Sequence, residues 1–461
     1  MSTGSTVRTA STASTASTAS TSSTVSAVDP YLPGRVDGGL DVARYELELD
    51  YRVAGNRLSG RARVHARATH ALDRLSLDLV RLRVGEVLVD GRRPARWTHR
   101  DGRLDVRLAR PVAAGATLVV DVAYAGHPQP RRGPWGEVGW EELEDGVIVA
   151  GQPDGAPSWF PCHDHPGDKA SFSIAMTTDP GYEVACNGRL VARTVRSSRV
   201  RWQFEHDEPT APYLATVQVG RYTRSTLVGG PVPQHVVAPP ALAARVAHDL
   251  ARQPQMMDLF VECFGPYPFD EYTVVVTADV LEIPLEAHGM SVFGSNHVDG
   301  RRGAERLVAH ELAHQWFGNS VTVRRWQDIW LHEGFACYAE WLWSQASGGP
   351  TADERARAAH ARLAAAPQDL LVGDPGRERM FDDRVYKRGA LTLHALRLAA
   401  GDATFFGLLR AWSARHRFGT VVTADLVAEA EAAVGRPLGD LFDAWLHTAA
   451  LPALGDRAHS A

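Results

Sequence analysis

The sequence predicts a multidomain protein, with an N-terminal all-β domain followed by an α+β domain rich in helices. Two observations predict it. From about Val42 to Thr226, apolar and polar residues alternate in short runs punctuated by Gly, Pro and Asp, the signature of half-buried strands. From about residue 241 onward the apolar spacing lengthens to the helical three-and-four repeat. The Gly- and Pro-rich stretch VGGPVPQHVVAPP, at residues 228–240, separates the two regimes.

In the first half, RYELELDYRV, RLDVRLARPV, TLVVDVAYAG and RWQFEHDEP each read as strands. In the second half, ALAARVAHDLARQPQMMDLFVECFG reads as a helix ending at Gly265. PYPFDEYTVVVTADV and IPLEAHGMSVFG supply strands. RRGAERLVAHELAHQWFGN is a helical pattern stopping at Gly318-Asn319, and a second helix runs from about His332 through EGFACYAEWLWSQAS. YKRGALTLHALRLAA, ATFFGLLRAWSARH, TADLVAEAEAAVG and LGDLFDAWLHTAA follow as helices, with Thr423 and Asp425 as N-cap candidates for the third. The Ser/Thr/Ala run up to about Ser26 has few groups able to pack and reads as disordered.

Composition narrows the function. With 461 residues, 44% of them hydrophobic and 22% charged, the chain can bury a large core in two or three domains. A net charge of -5 without a basic stripe argues against a nucleic-acid partner. No uncharged apolar run of 18 residues occurs and the N-terminus has no apolar signal core. The expectation is therefore no membrane span and cytoplasmic residence. Cys162, Cys186, Cys263 and Cys337 lie far apart, which predicts buried thiols rather than a Cys-rich zinc site.

The strongest chemical signal is His310-Glu311-Leu312-Ala313-His314. On a helix, residues four apart share a face, so both imidazoles can meet one ion. Glu311 lies beside the first ligand, within reach of a water on that ion, an arrangement suited to zinc hydrolysis. Catalytic zinc takes three protein ligands and an open position, and Glu333, 19 residues past His314, is the candidate third.

At this point the chain resembles the M1 (gluzincin) zinc aminopeptidase family, whose members include aminopeptidase N and leukotriene A4 hydrolase. The blocks that carry the resemblance are HELAHQWFGNSVTVRRWQDIWLHEGFACYAE (310–340), WFPCHDHPGDKASFSIAMTTDPGYEVACNG (159–188) and VYKRGALTLHAL (385–396). The resemblance implies a saddle-like β domain over 36–235 and a thermolysin-like catalytic domain over 236–452. Tails would occupy 1–35 and 453–461. It also implies one zinc ion on His310, His314 and Glu333. Glu311 would be the general base for a zinc-activated water, and Tyr386 the donor that stabilises the oxyanion.

Exopeptidase action needs a trap for a free ammonium. Glu286, in IPLEAHGMSVF, aligns with the glutamate of the family's Gly-x-Met-Glu-Asn motif, and Gln152 stands where relatives carry a second amine-binding group. Gly289 and Met290 are expected to offer backbone groups to an extended substrate. Asp328 is expected to orient the site or touch substrate, Glu340 to orient a ligand histidine, and Asn319 either to assist or only to cap the helix.

This chain departs from the family motifs. Ile283, Leu285 and Ala287 replace the Gly, Met and Asn around Glu286, and Arg388 replaces a Lys. Cys162-His163-Asp164-His165 is read as a structural domain contact, because adjacent ligands converge poorly on one ion. The large C-terminal helical domain of long relatives is missing, which predicts an open cleft or closure by oligomerisation. The expected partners are peptides with a free N-terminal amine, with the protein a monomer or homo-oligomer. Epoxide hydrolysis, endopeptidase action and a zinc-free scaffold are the competing readings.

Overall fold

The computed structural model describes residues 29–32 and 39–455; the Ser/Thr/Ala-rich run lies outside them. The first strand, Leu40–Arg52, shows how the alternation is read out. Tyr45, Leu47, Leu49 and Tyr51 are buried while Glu46, Glu48 and Arg52 face outward. A bulge between Val42 and Arg44 shifts the phase so that Val42 joins the same buried face. This strand sits centrally in a seven-stranded sheet, antiparallel to Arg57–Ala68 and parallel to Ala170–Thr178. A five-stranded sheet containing Gly146–Ala150 and a three-stranded sheet around Arg103–Val112 pack on it. One core joins all three through Tyr45, Trp202, Val106, Trp140 and Val149.

The second region is built on a mixed sheet ordered Thr223–Leu227, Gln234–Ala238, Tyr272–Val276, Met290–Phe293, Leu285–Ala287. The expected boundary at 235/236 thus falls within one of its strands. IPLEAHGMSVFG supplies two strands rather than one. Its first, Leu285–Ala287, is an open sheet edge.

Helices α1 (Ala243–Asp249) and α2 (Gln253–Phe264) divide what the periodicity predicts as one helix. Pro254 explains the break, since it is tolerated in a first turn but not in a helix interior. Next come α3 (Glu305–Ala313) and α4 (Trp330–Ala346). α3 stops before the predicted end, and the chain leaves it through short turns from His314 to Phe317. α4 is buried on every side from Trp330 to Trp343, so it is the central helix. α5 (Ala352–Ala364) was not anticipated, although Thr351 and Glu354 form a capping box at its start.

The chain ends with α6 (Asp383–Ala400), α7 (Asp402–Arg415), α8 (Thr423–Val434) and α9 (Gly439–Phe442), the last running into a π turn at Asp443–His447. Arg388 of α6 clamps that turn by donating to the carbonyls of Ala444, Trp445, Thr448, Ala449 and Ala450. No helix among the described residues is long and apolar enough to cross a membrane.

α4 packs against both α3 and α6. The α4–α6 approach is close because glycines meet there: a Cβ on Gly334 would stand 2.8 Å from the backbone of Gly389. A third core, with Ile148 and Ala185 from the β domain and Val275, Ala287 and Met290 from the second sheet, presses the two domains together beside that sheet's edge.

Candidate active site

α3 and α4 bring the metal-ligand candidates together. The Nε2 atoms of His310 and His314 stand 3.4 Å and 3.5 Å from Oε2 of Glu333. Two ligands each about 2.1 Å from a tetrahedral ion would stand roughly 3.4 Å apart. All three residues are buried, and their ligand atoms lie within 4.8 Å of one another. They fit one ion.

The groups behind the ligands set the tautomers. His310 Nδ1 bonds Oε1 of Glu340 at 2.8 Å, and His314 Nδ1 bonds the Phe317 carbonyl at 3.0 Å. A carboxylate or carbonyl oxygen only accepts, so Nδ1 carries the proton and each Nε2 lone pair is free to face the ion. Arg306 fixes Glu340 at 2.8 Å. The cluster attracts positive charge. Burial opposes a charged imidazole, yet the bonds to Glu333 and Glu340 raise His310 to about 9. His314 rises to about 10 against the same burial, through Glu286 and Glu333.

Glu311, between the two histidines, is buried, and its Oε2 has no hydrogen-bond partner among the described residues. Burial raises its carboxyl above the usual range, with His310 and His314 pulling it back. Tyr386 enters from α6, its ring 6.0 Å from that of His310 and nearly parallel. Burial holds its phenol well above the ordinary value, so the hydroxyl stays a donor.

Gln152 comes from the β domain. It follows strand Gly146–Ala150 through Gly151, where a Cβ would stand 2.1 Å from the Tyr213 carbonyl oxygen. Its Nε2 donates to Oε1 of Glu286 on the edge strand. The amide oxygen of Gln152 and the carboxylate of Glu286 therefore face one space. Burial pushes Glu286 up to about 7; His314 lowers it while Glu333 and Glu311 raise it. A cavity of about 730 Å³ takes in Gln152, Glu286, Glu311, Tyr386 and the ligand cluster.

Three expected site residues lie elsewhere. Gly289 donates its N–H to Gln315 Oε1 at 2.9 Å, and the Met290 carbonyl accepts from Gln315 Nε2 at 3.3 Å. Met290 is buried in the interdomain core, and neither residue lines the cavity. Asp328 is also outside it. Its Oδ1 accepts from the Thr423 N–H at 3.0 Å and the Thr423 hydroxyl, capping the start of α8.

The sequence reading missed Gln315, which ties α3 to the edge-strand hairpin; its only sequence signal was a buried polar position one residue past His314. Asn319 is not the cap of α3, which falls at His314; its side chain donates to the Ala287 carbonyl at 2.8 Å. Lys169, also unanticipated, is half-buried and donates to the carbonyls of Asn319 and Ser320. In the PCHDHP segment, His163 bonds Asp168, and Asp168 takes the Val42 N–H. Among the described residues, the groups of three that could hold a metal ion lie elsewhere. All four cysteines are buried and none forms a disulfide.

Comparison with known proteins agrees with this geometry. Residues 42–214 match the peptidase M1 N-terminal domain, and residues 248–445 match the peptidase family M1 domain. A leucyl aminopeptidase of Saccharolobus solfataricus is 24% identical over 79% of this chain and 48% of its own length. An aminopeptidase N of Streptomyces lividans is 28% identical over 64% of this chain and 37% of its own. The chain thus spans about half, or less, of these curated relatives. A crystal structure of an M1 zinc metallopeptidase from Deinococcus radiodurans superposes with a TM-score of 0.86 at 30% identity, covering 94% of this chain and 99% of that one. A mutant of that protein bound to a Tyr-Ser-Ala substrate superposes with a TM-score of 0.84 at 30% identity, covering 92% and 97%. With both domains matched, in order and nearly end to end, this chain belongs to peptidase family M1.

Proposed function

We propose that this protein is a zinc-dependent aminopeptidase that removes the first residue of peptides with a free N-terminal amine. The observation that carries the reading is the joined pair Gln152–Glu286 beside the His310–His314–Glu333 cluster. Zinc bound there would supply Lewis acidity to the scissile carbonyl and its water. Glu286 and the amide oxygen of Gln152 hold the substrate ammonium and so fix the first peptide bond over the cluster. Glu311, unpartnered and made more basic by burial, takes a proton from the attacking water. The water oxygen bonds to the carbonyl carbon, the C–N bond breaks, and Glu311 returns the proton to the leaving amine. Tyr386 donates its hydroxyl to the developing oxyanion. The Deinococcus radiodurans structure bound to a Tyr-Ser-Ala substrate and a two-domain M1 zinc metallopeptidase bound to L-arginine support substrates of this kind.

The test is a panel of free and N-acetylated aminoacyl arylamides, assayed before and after chelation and with zinc added back. Cleavage of the free-amine substrates alone, lost on chelation and restored by zinc, is the expected result. Equal cleavage of acetylated substrates would remove the ammonium role of Gln152 and Glu286 and point to an endopeptidase.

A further inference from the structure

The cavity that holds the ligand cluster does not end there. It also takes in Trp341, Trp343 and Ser344 of α4, and the exposed Arg355 and Arg362 of α5. These arginines are seven residues apart, two helical turns, and so lie on one side of α5. Ala352, Ala356, Ala359 and Leu363 form its buried stripe, and the two arginines flank that stripe. Arg355 Nε donates to Ser344 Oγ at 3.1 Å, a neutral partner. Among the described residues, neither arginine has a carboxylate within 4.0 Å, whereas Arg357 on the same helix is paired with Asp353 at 2.8 Å. The other cations of this wall are engaged, Arg306 with Glu340 at 2.8 Å and Lys387 with Asp383 at 3.8 Å. One cavity thus holds a carboxylate and an amide oxygen together with two guanidinium groups that have no carboxylate partner among the described residues.

We infer that Arg355 and Arg362 receive the C-terminal carboxylate of the substrate, making the protein selective for short peptides with both ends free. The inference rests on the aminopeptidase reading, which fixes the amine end. Guanidinium forks match a carboxylate's two oxygens, so this end recognises the terminus itself and not a particular side chain. The span follows from α4. Glu333 and Ser344 are 11 residues apart, about 16 Å along a helix rising 1.5 Å per residue. An arginine side chain reaches back over several ångströms of that distance. At roughly 3.3 Å per extended residue, about three to five residues fit between the scissile bond and the arginines. The favoured substrate is therefore about four to six residues long.

The experiment measures kcat/KM for a Leu-(Ala)n series from two to eight residues, each as the free acid and as the C-terminal amide. The native protein and the double variant Arg355→Gln/Arg362→Gln are compared. The native protein should favour the acid about tenfold, most strongly at four to six residues, in line with one charge-assisted contact. The double variant should bring the acid-to-amide ratio close to one at every length. A native ratio near one throughout, or a preference that survives in the double variant, overturns the inference. Leucyl arylamide, which has no carboxylate, separates the two readings. If it is cleaved in a zinc-dependent manner while the ratio is flat, only the carboxylate site fails. If neither arylamide nor peptide is cleaved by the zinc-loaded native protein, the aminopeptidase reading itself fails.

Discussion

Glu311, buried, and Glu286, half-buried, are carboxylates that both approach the His314 imidazole, yet their surroundings differ. Glu311 has an oxygen with no hydrogen-bond partner among the described residues, and in the proposed mechanism it is the group that moves a proton. Replacing it with Gln keeps the shape and removes the base. Glu311→Gln should therefore bind zinc with unchanged stoichiometry while kcat falls by about a thousandfold, within the range for losing a general base. Metal analysis and single-turnover assays together read both halves of that expectation. Glu286 already accepts from Gln152 and titrates near 7 because burial raises it. Below that pH the carboxyl is neutral and cannot hold an ammonium; above it the carboxylate can. The acidic limb of the kcat/KM profile for free-amine substrates should accordingly fall as pH drops through about 7. In Glu286→Gln that limb should vanish, with KM higher by about tenfold or more at every pH, the size of a lost hydrogen bond to a charged group. A variant that keeps both the limb and the native KM would show that Glu286 does not hold the amine.

Elements, rather than single side chains, decide whether those groups meet. The ligand set was legible in the sequence because helical periodicity alone places His310 and His314 on one face. Glu333 needed the α3–α4 packing that only the fold supplies. The Gln152–Glu286 bond joins residues 134 apart across two domains, and no local pattern carries such information. Local rules also misjudged α1 and α2, where Pro254 outweighed apolar spacing, and overlooked α5, whose alanines and arginines have little amphipathic contrast. Asp328 shows the limit of reading roles from position. It lies five residues before Glu333, but its carboxylate caps α8. Asp328→Ala should lower stability by about 1–2 kcal/mol in urea unfolding, as loss of a cap does, and leave KM essentially unchanged. A large change in KM with native stability would return it to the substrate site. The α4–α6 contact is more demanding. A methyl at Gly334 would press on the Gly389 backbone, and α4 carries Glu333 while α6 carries Tyr386. Gly334→Ala should separate the helices, cost about 1–3 kcal/mol from overpacking despite the better helix propensity, and reduce kcat more than it raises KM. Unaltered kcat would mean that the helices yield elsewhere.

Across the whole molecule, the site depends on two domains staying in register, and their junction is lined by buried, neutral histidines. His206, from strand Arg199–Thr210, meets His288, from the turn of the edge-strand hairpin, with ring centroids 4.6 Å apart. Thr210 bonds both rings, Glu208 faces His206 at 3.2 Å, and the half-buried Lys169 adds a nearby positive charge. Burial pulls His206 down to about 4, and burial together with His206 and Lys169 holds His288 well below the usual range. His165, in the PCHDHP segment, is likewise lowered to about 4 by burial and accepts the Gly167 N–H at Nδ1, a bond that protonation there would break. The sign of the effect follows. In the unfolded chain these rings take up protons below about 6.5, while in the folded protein His206 and His165 exclude them until about 4 and His288 is held well below its usual range. Stability is full above the unfolded value and is lost as pH falls through this window, by about 1.4 kcal/mol per pH unit for each histidine. The midpoint of thermal unfolding should thus drop steeply between pH 6.5 and 5, above the range where most carboxylates begin to protonate. Saturating zinc keeps release of the metal from contributing to the slope. His288→Asn removes one titrating ring from the junction, so its unfolding midpoint should vary less with pH than that of the native chain, whatever its absolute stability. If native and variant slopes coincide in zinc-saturated protein, His288 does not carry the acid sensitivity.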